Sequence, residues 1–321
     1  MAENAKKKIL VTGGAGGVGA FVCGKLIEAG HNVRVFDLPS PANTKALSRT
    51  AAGVEPVWGD ITDEKAVREA VAGCDEVIHL AALVVPATEA KPDLAHRVNV
   101  GGVKNVIRAV EAETESSGKP VAMRFSSSAT VYGITAHEQP PIAPDHPVSP
   151  TSVYTETKIL AEEAIRASGL PRWTIFRFAA AQYLTMQMDK FSQMKIIPPE
   201  NRIEFVHILD IADAFINAID NEETYGGTFV LAGGPRCQML YRDQLRLTFR
   251  YLGFPDPNWK KFTKEPFALD WYDTTEANRI LRYQNRTFDD YLTELRRGLG
   301  FKYQLFRYGA APLMQLLRIH L

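Results

Sequence analysis

The stretch that decides the fold is Ile9–Gly19, which reads Ile-Leu-Val-Thr-Gly-Gly-Ala-Gly-Gly-Val-Gly. Its first residues, Ile9–Val11, predict a short buried strand, and a helix is predicted from about Ala20 to Glu28. A strand that enters a helix through glycines leaves backbone N–H groups at the helix N-terminus, where a pyrophosphate can bind. Glycines are needed because a Cβ would block the approach of the phosphates, or of the helix to the strand.

An acidic residue follows at the distance that dinucleotide recognition requires. A second predicted strand, Val33–Phe36, ends in Asp37, eighteen residues after Gly19. A carboxylate at this place accepts hydrogen bonds from the ribose hydroxyls of NAD and repels the 2′-phosphate of NADP. A solvated loop acid is the alternative, and the glycine loop upstream favours the cofactor interpretation. The sequence therefore predicts NAD as the cofactor.

Strands and helices alternate over residues 8–178, which predicts an α/β fold. Further strands are predicted at 54–58, 76–80, 121–126 and 173–178, and further helices at 63–71, 94–111 and 151–168. We expect a Rossmann-type doubly wound parallel sheet, covered on both faces, with ligand at the carboxyl ends of the strands.

The chain divides into two predicted domains. Residues 1–178 form the dinucleotide-binding domain, to which 205–232 returns with strands at Phe205–Leu209 and Thr228–Leu231 around a helix from about Asp210 to Asp220. Residues 179–204 and 233–321 form a smaller, mostly helical substrate-binding domain.

Composition excludes several classes of function. The 321 residues are 45% hydrophobic and 23% charged, and 37 basic residues balance 37 acidic ones, which gives no support for nucleic-acid binding. No stretch reaches about 18 uncharged apolar residues, so no transmembrane helix is predicted. The cysteines, Cys23, Cys74 and Cys237, show no metal-ligand spacing, so no metal site is expected. They fit a reducing compartment, and we expect a cytoplasmic location.

Motifs further along the chain resemble one known family. They are Thr-Gly-x-x-Gly-x-x-Gly at Gly13, Gly16 and Gly19, then Gly59–Ile61, His79–Ala82, Val98–Asn105, Phe125–Gly133, Tyr154-x-x-x-Lys158, Phe205–Asp210 and Asp273–Thr275. Jointly they resemble the extended short-chain dehydrogenase/reductase family, of the NAD-dependent epimerase/dehydratase type. The resemblance covers about residues 8–232 well and 233–300 loosely.

The chemistry of the Tyr154–Lys158 pair can be argued from the residues themselves. Four residues apart on one predicted helix, the two side chains share a face. A phenol, with an ordinary pKa of about 10, is a poor base at neutral pH, and a neighbouring ammonium favours its phenolate. The phenolate can then take the proton of a substrate hydroxyl while hydride leaves for the cofactor.

The resemblance implies the remaining site residues. Alignment with the family selects Ser128 to hold the reacting oxygen, although Ser126, Ser127 and Thr130 are close neighbours. Asp60 has two interpretations, a cap for the following helix or a contact to adenine. Cofactor contacts are implied for Gly13, Ala15, Gly16, Gly17, Val18, Gly19, Asp37, Asp60, Ile61, Leu80, Ala81, Ala82, Asn99, Ser126, Tyr154, Lys158 and Phe178.

The substrate positions depart from the sugar-nucleotide enzymes of the family. Phe125–Gly133 looks like the matching segment of UDP-galactose 4-epimerase, but Ala180 replaces an expected Asn, and Val84 and Val85 stand where a lysine is expected. The epimerase-like arginine is also displaced, because Arg202 lies five residues before His207 instead of four. The expected substrate wall consists of Val84, Val85, Ser128, Phe178 and Tyr183, which suits a less polar substrate.

Three functions follow as hypotheses. The first is an NAD-dependent oxidoreductase acting on a secondary alcohol or ketone of a small or weakly polar substrate, with Tyr154 as general acid/base. The second is a UDP-sugar 4-epimerase, which recycles its NAD, and the third is a non-catalytic NAD sensor or scaffold, against which the intact Tyr154–Lys158 pair argues.

The resemblance also implies an assembly state. Family resemblance pairs the helices at 94–111 and 151–168 across a two-fold axis, so we expect a homodimer, which sedimentation velocity would measure. Apolar residues of the tail, Leu313–Leu321, form a stripe that could touch a membrane or a partner, and packing on its own domain is the favoured alternative.

Overall fold

The computed structural model describes residues 6–50, 53–182 and 194–310. The expected substrate-wall residue Tyr183 and the apolar tail stripe therefore lie outside the described residues. Within the described ranges, no helix is both long and apolar enough to cross a membrane.

The glycine-rich stretch forms the predicted strand–loop–helix unit. Strand β1 (Lys8–Thr12) is followed by helix α1 (Gly17–Glu28) and by β2 (Asn32–Asp37), which pairs with β1 in parallel. Ile9, Leu10 and Val11 are fully buried between the two helical layers, which is why an apolar run without alternation forms this strand. The glycines start α1 three residues earlier than the apolar pattern predicts.

The remaining elements follow in chain order. They are α2 (Pro41–Thr50), β3 (Glu55–Trp58), α3 (Glu64–Val71), β4 (Glu76–His79), α4 (Ala87–Ala90), α5 (Pro92–Ala95), α6 (Gly102–Ser117), β5 (Ala122–Ser128), α7 (Val153–Arg166), β6 (Trp173–Phe178), β7 (Ala180–Ala181), β8 (Arg202–Val206), α8 (Ile208–Ala218), β9 (Gly227–Leu231), β10 (Gln238–Leu240), α9 (Tyr241–Leu252), α10 (Thr275–Leu281), α11 (Phe288–Leu299) and α12 (Phe301–Leu305).

The main sheet has the predicted doubly wound topology. Its seven strands lie in the order β3-β2-β1-β4-β5-β6-β9, and all neighbouring pairs are parallel. Because the chain leaves β1 in one direction across the sheet and returns to β4 in the other, a crevice opens at the carboxyl ends of these two strands. The α/β fold class is thereby confirmed.

One predicted strand begins and ends earlier in the chain than expected and lies outside the main sheet. The segment predicted as Phe205–Leu209 is β8 (Arg202–Val206), which pairs with β10 and β7 in a separate three-stranded sheet. Phe205 packs edge-on against Phe288 and beside Tyr291, so its apolar partners lie in the C-terminal region and not in the main sheet. Of the segment 205–232, α8 packs on α1 and β9 joins the main sheet.

The helix predicted over 94–111 is divided in the structure. A π-helical turn, His96–Gly101, separates α5 from α6, and α6 continues to Ser117. Within this turn, the buried Asn99 hydrogen-bonds groups outside its own helix, so the irregular backbone serves a tertiary contact.

Candidate active site

A cleft of about 680 Å³ lies at the carboxyl ends of β1, β4, β5 and β6. It brings together most of the sequence-predicted residues: Gly13, Gly16, Gly17, Val18, Gly19, Asp37, Asp60, Ile61, Leu80, Ala81, Ala82, Val84, Ser126, Ser128, Tyr154, Lys158 and Phe178. Ala15, Val85 and Asn99 do not line it. Among the described residues, no group of three His, Cys, Asp or Glu side chains could hold a metal ion.

The glycine loop has the close contacts that require glycine. A Cβ on Gly13, whose φ is +69°, would lie 2.8 Å from the backbone nitrogen of Ala81 on the neighbouring strand end. A Cβ on Gly19 would lie 2.3 Å from the carbonyl oxygen of Gly13. No side chain caps α1 at Gly16, so its first N–H groups face the cleft without a side-chain acceptor. This cradle fits the pyrophosphate of a dinucleotide.

Asp37 is held in place by three donors of the protein. Its Oδ2 accepts a hydrogen bond from the Ala15 N–H at 2.9 Å, and its Oδ1 accepts from the Leu38 N–H at 2.8 Å and from Asn43 Nδ2 at 3.1 Å. Ala15 does not line the cleft itself, but its N–H holds the Asp37 carboxylate that does. A carboxylate offers about four acceptor positions, so these bonds leave room for about one ribose hydroxyl while Asn43 stays in place.

Asp37 should decide between the two nicotinamide cofactors. We expect Asp37→Ala to weaken NAD⁺ binding about 10-fold or more, because a charged acceptor contributes about 1.5–3 kcal/mol. The same change should improve the relative affinity for NADP⁺ by removing the repulsion of its 2′-phosphate. Calorimetric titration of both cofactors into wild type and variant measures the ratio. Equal or tighter NADP⁺ binding by the wild type would contradict the assignment.

Asp60 faces the cleft and does not cap the following helix. The cap of α3 is Asp63, whose Oδ1 accepts from the N–H groups of Lys65 and Ala66. Asp60 accepts instead from the backbone and hydroxyl of Thr62, at 2.9 and 2.8 Å, and lines the cleft. Of the two interpretations of Asp60, capping was wrong, and contact with the cofactor stays a prediction.

Tyr154 and Lys158 share one face of α7 beside the end of β5. The Lys158 side chain is 3% exposed, and its Nζ donates a 2.7 Å hydrogen bond to the carbonyl oxygen of Ser126. The same Nζ lies 5.8 Å from the centroid of the Tyr154 ring. Burial lowers the pKa of the Lys158 ammonium to about 8, and the Glu162 carboxylate acts in the opposite direction. Lys158 is therefore a cation held close to a phenol, as phenolate formation requires.

The hydrogen bonds of the three serines at the end of β5 favour Ser128 for the reacting oxygen. Ser126 donates to the carbonyl oxygen of His79, and Ser127 donates to the buried Glu162 at 2.6 Å. Ser128 lines the cleft and shares a 2.8 Å hydrogen bond with the Thr130 hydroxyl. Since the neighbouring hydroxyls are used by internal acceptors, Ser128 is the serine that can turn toward a ligand.

The segment that follows β4 is fixed to helix α7. Asn99 binds both the N–H and the carbonyl oxygen of Leu83, and its Nδ2 also donates to Thr157 on α7 at 3.0 Å. Glu89 on α4 accepts from the backbone N–H groups of Val153 and Tyr154 at the start of α7. Asn99 is therefore a structural residue behind the cleft.

Sequence reasoning missed several residues that line the cleft. They are Phe36, Leu38, Asn43, Gly59, Leu83, Leu94, Val98, Ser127, Ala179 and Ala181. Most are immediate neighbours of predicted residues, so their position beside a motif could have indicated that they line the cleft. Asn43 carried no such signal, because it reaches Asp37 from the first turn of α2.

Comparison with known proteins shows the family. The profile of the NAD dependent epimerase/dehydratase family matches residues 9–177. A UDP-glucose 4-epimerase from Corynebacterium glutamicum is 30% identical over 249 residues, which cover 67% of this chain and 72% of the relative. A 3-beta-hydroxysteroid dehydrogenase from Mycolicibacterium neoaurum is 34% identical over 168 residues, which cover 49% of this chain and 42% of the relative.

A solved structure supports the same relationship over nearly the whole length. A short-chain dehydrogenase/reductase superfamily protein from Agrobacterium tumefaciens, solved with bound NAD, is 26% identical with a TM-score of 0.74. The alignment covers 92% of this chain and 99% of that structure. The chain belongs to the NAD dependent epimerase/dehydratase family, a family of extended short-chain dehydrogenase/reductase enzymes whose cofactor is NAD.

Proposed function

We propose that the protein is an NAD-dependent oxidoreductase that acts on the secondary alcohol or ketone of a small or weakly polar substrate. The observation that carries this proposal is the charge on the substrate side of the cleft. Among the described residues that line the cleft, Lys158 is the only cation, and its Nζ already donates to Ser126. The pyrophosphate of a sugar nucleotide would need cations beyond this one.

Arg202, the arginine nearest to the epimerase position, is already neutralised. Its Nε and Nη2 donate to the carboxylate of Asp270 at 2.5 and 2.8 Å, and Asp270 is 1% exposed. Nη2 also donates to the carbonyl oxygens of Thr135 and Glu138 at 3.1 Å. Turning Arg202 toward a phosphate would leave a buried carboxylate unpaired, which costs several kcal/mol.

The apolar wall supports the same choice. Five apolar side chains line the cleft, those of Leu83, Val84, Leu94, Phe178 and Ala181. None of these side chains can hydrogen-bond a sugar hydroxyl. Each hydroxyl left unpaired on burial costs about 1–3 kcal/mol, so several such losses would abolish useful affinity.

Three side chains supply the acid–base chemistry in this proposal. Tyr154, as phenolate, removes the proton of the substrate hydroxyl, Ser128 donates a hydrogen bond to the same oxygen, and Lys158 stabilises the phenolate. NAD, when bound between the glycine cradle and Asp37, supplies the hydride acceptor. In the direction of reduction, the Tyr154 phenol returns the proton to the carbonyl oxygen.

Ligand binding and net cofactor turnover test the proposal together. We expect no micromolar binding of UDP, UDP-glucose or UDP-galactose to the NAD-loaded protein by calorimetry. We also expect net NADH formation, followed at its absorbance band, from a series of secondary alcohols, with kcat/KM rising as the alcohol becomes less polar. Micromolar binding of a UDP-sugar with epimer interconversion and no net NADH would overturn the proposal in favour of the epimerase.

The epimerase is retained as second candidate because of one comparison. The relative from Corynebacterium glutamicum is a UDP-glucose 4-epimerase and aligns over more of both chains than the steroid dehydrogenase does. The Tyr154–Lys158 pair and Ser128 would serve an epimerase equally well. The non-catalytic sensor is disfavoured, since a sensor has no need of a buried lysine next to a cleft-lining tyrosine.

The homodimer stays part of this proposal. Helices α6 and α7 lie side by side, so both could pack against the same two helices of a second copy across a two-fold axis. In this proposal, the small-molecule substrate and NAD both bind in the same cleft.

A further inference from the structure

Lys158 lies in surroundings that oppose its charge. The side chain is 3% exposed, and its Nζ donates one hydrogen bond to a backbone carbonyl oxygen. Burial in such surroundings favours the neutral amine. The proposed chemistry requires the ammonium, so another group has to supply a compensating negative charge.

Glu162 lies one helical turn beyond Lys158 on the same face of α7. It is 1% exposed, and its two oxygens receive four hydrogen bonds from side chains. Oε1 accepts from Ser127 at 2.6 Å and from Arg177 Nε at 2.9 Å. Oε2 accepts from Arg177 Nη2 at 2.6 Å and from Arg166 at 2.7 Å. Although burial acts to raise the pKa of the Glu162 carboxyl, these donors hold it below its ordinary value.

We propose that Glu162 is a positioning residue that keeps Lys158 charged beside Tyr154, and that Arg166 and Arg177 limit how strongly it does so. Lys158 and Glu162 are four residues apart on one face of α7 and bind neighbouring residues of β5, since Lys158 donates to the carbonyl oxygen of Ser126 and Glu162 accepts from the Ser127 hydroxyl, so the two charges lie in the same buried region. Glu162 also holds Ser127, which lines the cleft, and so connects the acid–base pair to the arginines behind it. The role of Glu162 in turnover rests on the proposed function, while its effect on the Lys158 charge does not.

Other groups near Lys158 do not supply this charge. His79 on β4 is fully buried, and burial followed by the Lys158 charge lowers the pKa of its imidazole to about 3, so it is neutral. Tyr154 on α7 and Ser126 and Ser127 on β5 are uncharged in their ordinary states. The π-helical turn contributes Asn99, which is neutral. Arg177 on β6 and Arg166 at the end of α7 are cations, and both bind Glu162.

Titration of Lys158 tests the inference without requiring a substrate. The Cε signal of Lys158 in ¹³C-lysine-labelled protein, assigned by its loss in Lys158→Arg, reports the midpoint of deprotonation. We expect Glu162→Gln to lower the midpoint by about 1–3 pH units, the range typical for a nearby opposite charge. Arg166 and Arg177, no longer neutralised by a carboxylate, would also lower the midpoint. The matched control is Glu163→Gln, the same change at the neighbouring exposed position, which should leave the midpoint unchanged.

A second variant should shift the Lys158 midpoint in the opposite direction. Arg166→Gln removes one cation from Glu162, so the carboxylate should act more strongly and the Lys158 midpoint should rise. The Arg166 side chain is 39% exposed, so this variant is expected to fold even if Glu162→Gln does not. A midpoint in Arg166→Gln at or below that of wild type would overturn the inference, as would an unchanged midpoint in Glu162→Gln.

The pH profile of hydride transfer shows whether the effect reaches catalysis. In Glu162→Gln, the acidic limb of alcohol oxidation should move to higher pH, because the phenolate loses its cation, and the alkaline limb should move lower. Glu163→Gln should retain the wild-type profile. If wild type transfers no hydride to NAD⁺ from any alcohol, the proposed function fails, yet the Lys158 titration still decides this inference.

Discussion

Replacing Tyr154 by phenylalanine is expected to slow hydride transfer by about 10²–10⁴-fold, the usual contribution of a positioned general acid/base. The change removes the phenolic oxygen but keeps the ring that lies 5.8 Å from Lys158 Nζ. NAD⁺ affinity should stay within a few-fold of wild type, because the glycine cradle and Asp37 are untouched. Stopped-flow measurement of NADH formation gives the rate, and calorimetry gives the cofactor affinity.

Tyr241→Phe serves as the matched control. Tyr241 is a buried tyrosine outside the cleft, and its hydroxyl donates to the carbonyl oxygen of Met194 at 3.1 Å. Its replacement should cost about 1 kcal/mol of stability and leave the rate unchanged. A Tyr154→Phe enzyme that works within tenfold of the wild-type rate would mean that another group carries the proton.

Replacing Arg124 by methionine is expected to lower the free energy of unfolding by about 3–5 kcal/mol. Arg124 on β5 and Glu76 on β4 form a fully buried ion pair at the amino ends of the two strands. Arg124 also donates to the hydroxyls of Thr174 and Thr224, both at 3.0 Å, and to the carbonyl oxygen of Ala218. Without the guanidinium, the buried Glu76 carboxylate loses its ion-pair partner. Urea unfolding followed by circular dichroism measures the loss.

The loss of stability in Arg124→Met should grow as the pH rises. Burial raises the pKa of the Glu76 carboxyl, and Arg124 opposes the rise. In Arg124→Met the folded-state pKa should rise further, so the folded protein binds a proton that the unfolded chain releases. Stability of the variant relative to wild type should therefore be greatest at low pH and fall as pH rises through the folded-state pKa of Glu76 in wild type, which already lies above its ordinary value. The measured deficit should be smaller at pH 5.5 than at pH 8.

A double replacement separates charge burial from packing. Glu76→Leu combined with Arg124→Met removes both charges and should recover most of the loss, because well-packed apolar residues can replace a buried ion pair. The cleft lies at the opposite ends of the same strands, so NAD⁺ binding by the folded variants should be unchanged. A single Arg124→Met variant within about 1 kcal/mol of wild type would contradict the argument.

The sequence predicts the dinucleotide-binding region well because the motifs that indicate it are local in the chain. The strand, glycine loop and helix at Ile9–Gly19 are adjacent in the chain, and Tyr154 and Lys158 are neighbours on one helix. The backbone geometry of a strand–loop–helix unit, and of a single helix, then fixes where these residues lie relative to one another. The edge at which Asp37, Ser128 and Phe178 meet follows from parallel pairing, which the alternation of elements already implies.

What could not be predicted depends on contacts between residues that are distant in sequence. Arg202 and Asp270 are separated by 68 residues, and no local pattern says that they pair. Ser127, Glu162 and Arg177 come from three different elements, so their network appears only in the fold. Strand β8 lies in the three-stranded sheet, where Phe205 packs against Phe288 and Tyr291, which are distant from it in the sequence.

The anchoring of the loop between Leu83 and Glu89 bears on how such an enzyme can acquire new substrates. Asn99 accepts a hydrogen bond from the Leu83 N–H at one end of the loop, and Glu89 at the other end accepts from the start of α7. Val84 and Val85 between them are 54% and 51% exposed. Substitutions at exposed positions usually change stability by less than about 0.5 kcal/mol. Side chains at positions 84 and 85 can therefore be exchanged while the backbone that carries them keeps its relation to Tyr154. Because Val84 lines the cleft, selection, natural or in the laboratory, can explore specificity at position 84 without disturbing the proposed acid–base pair.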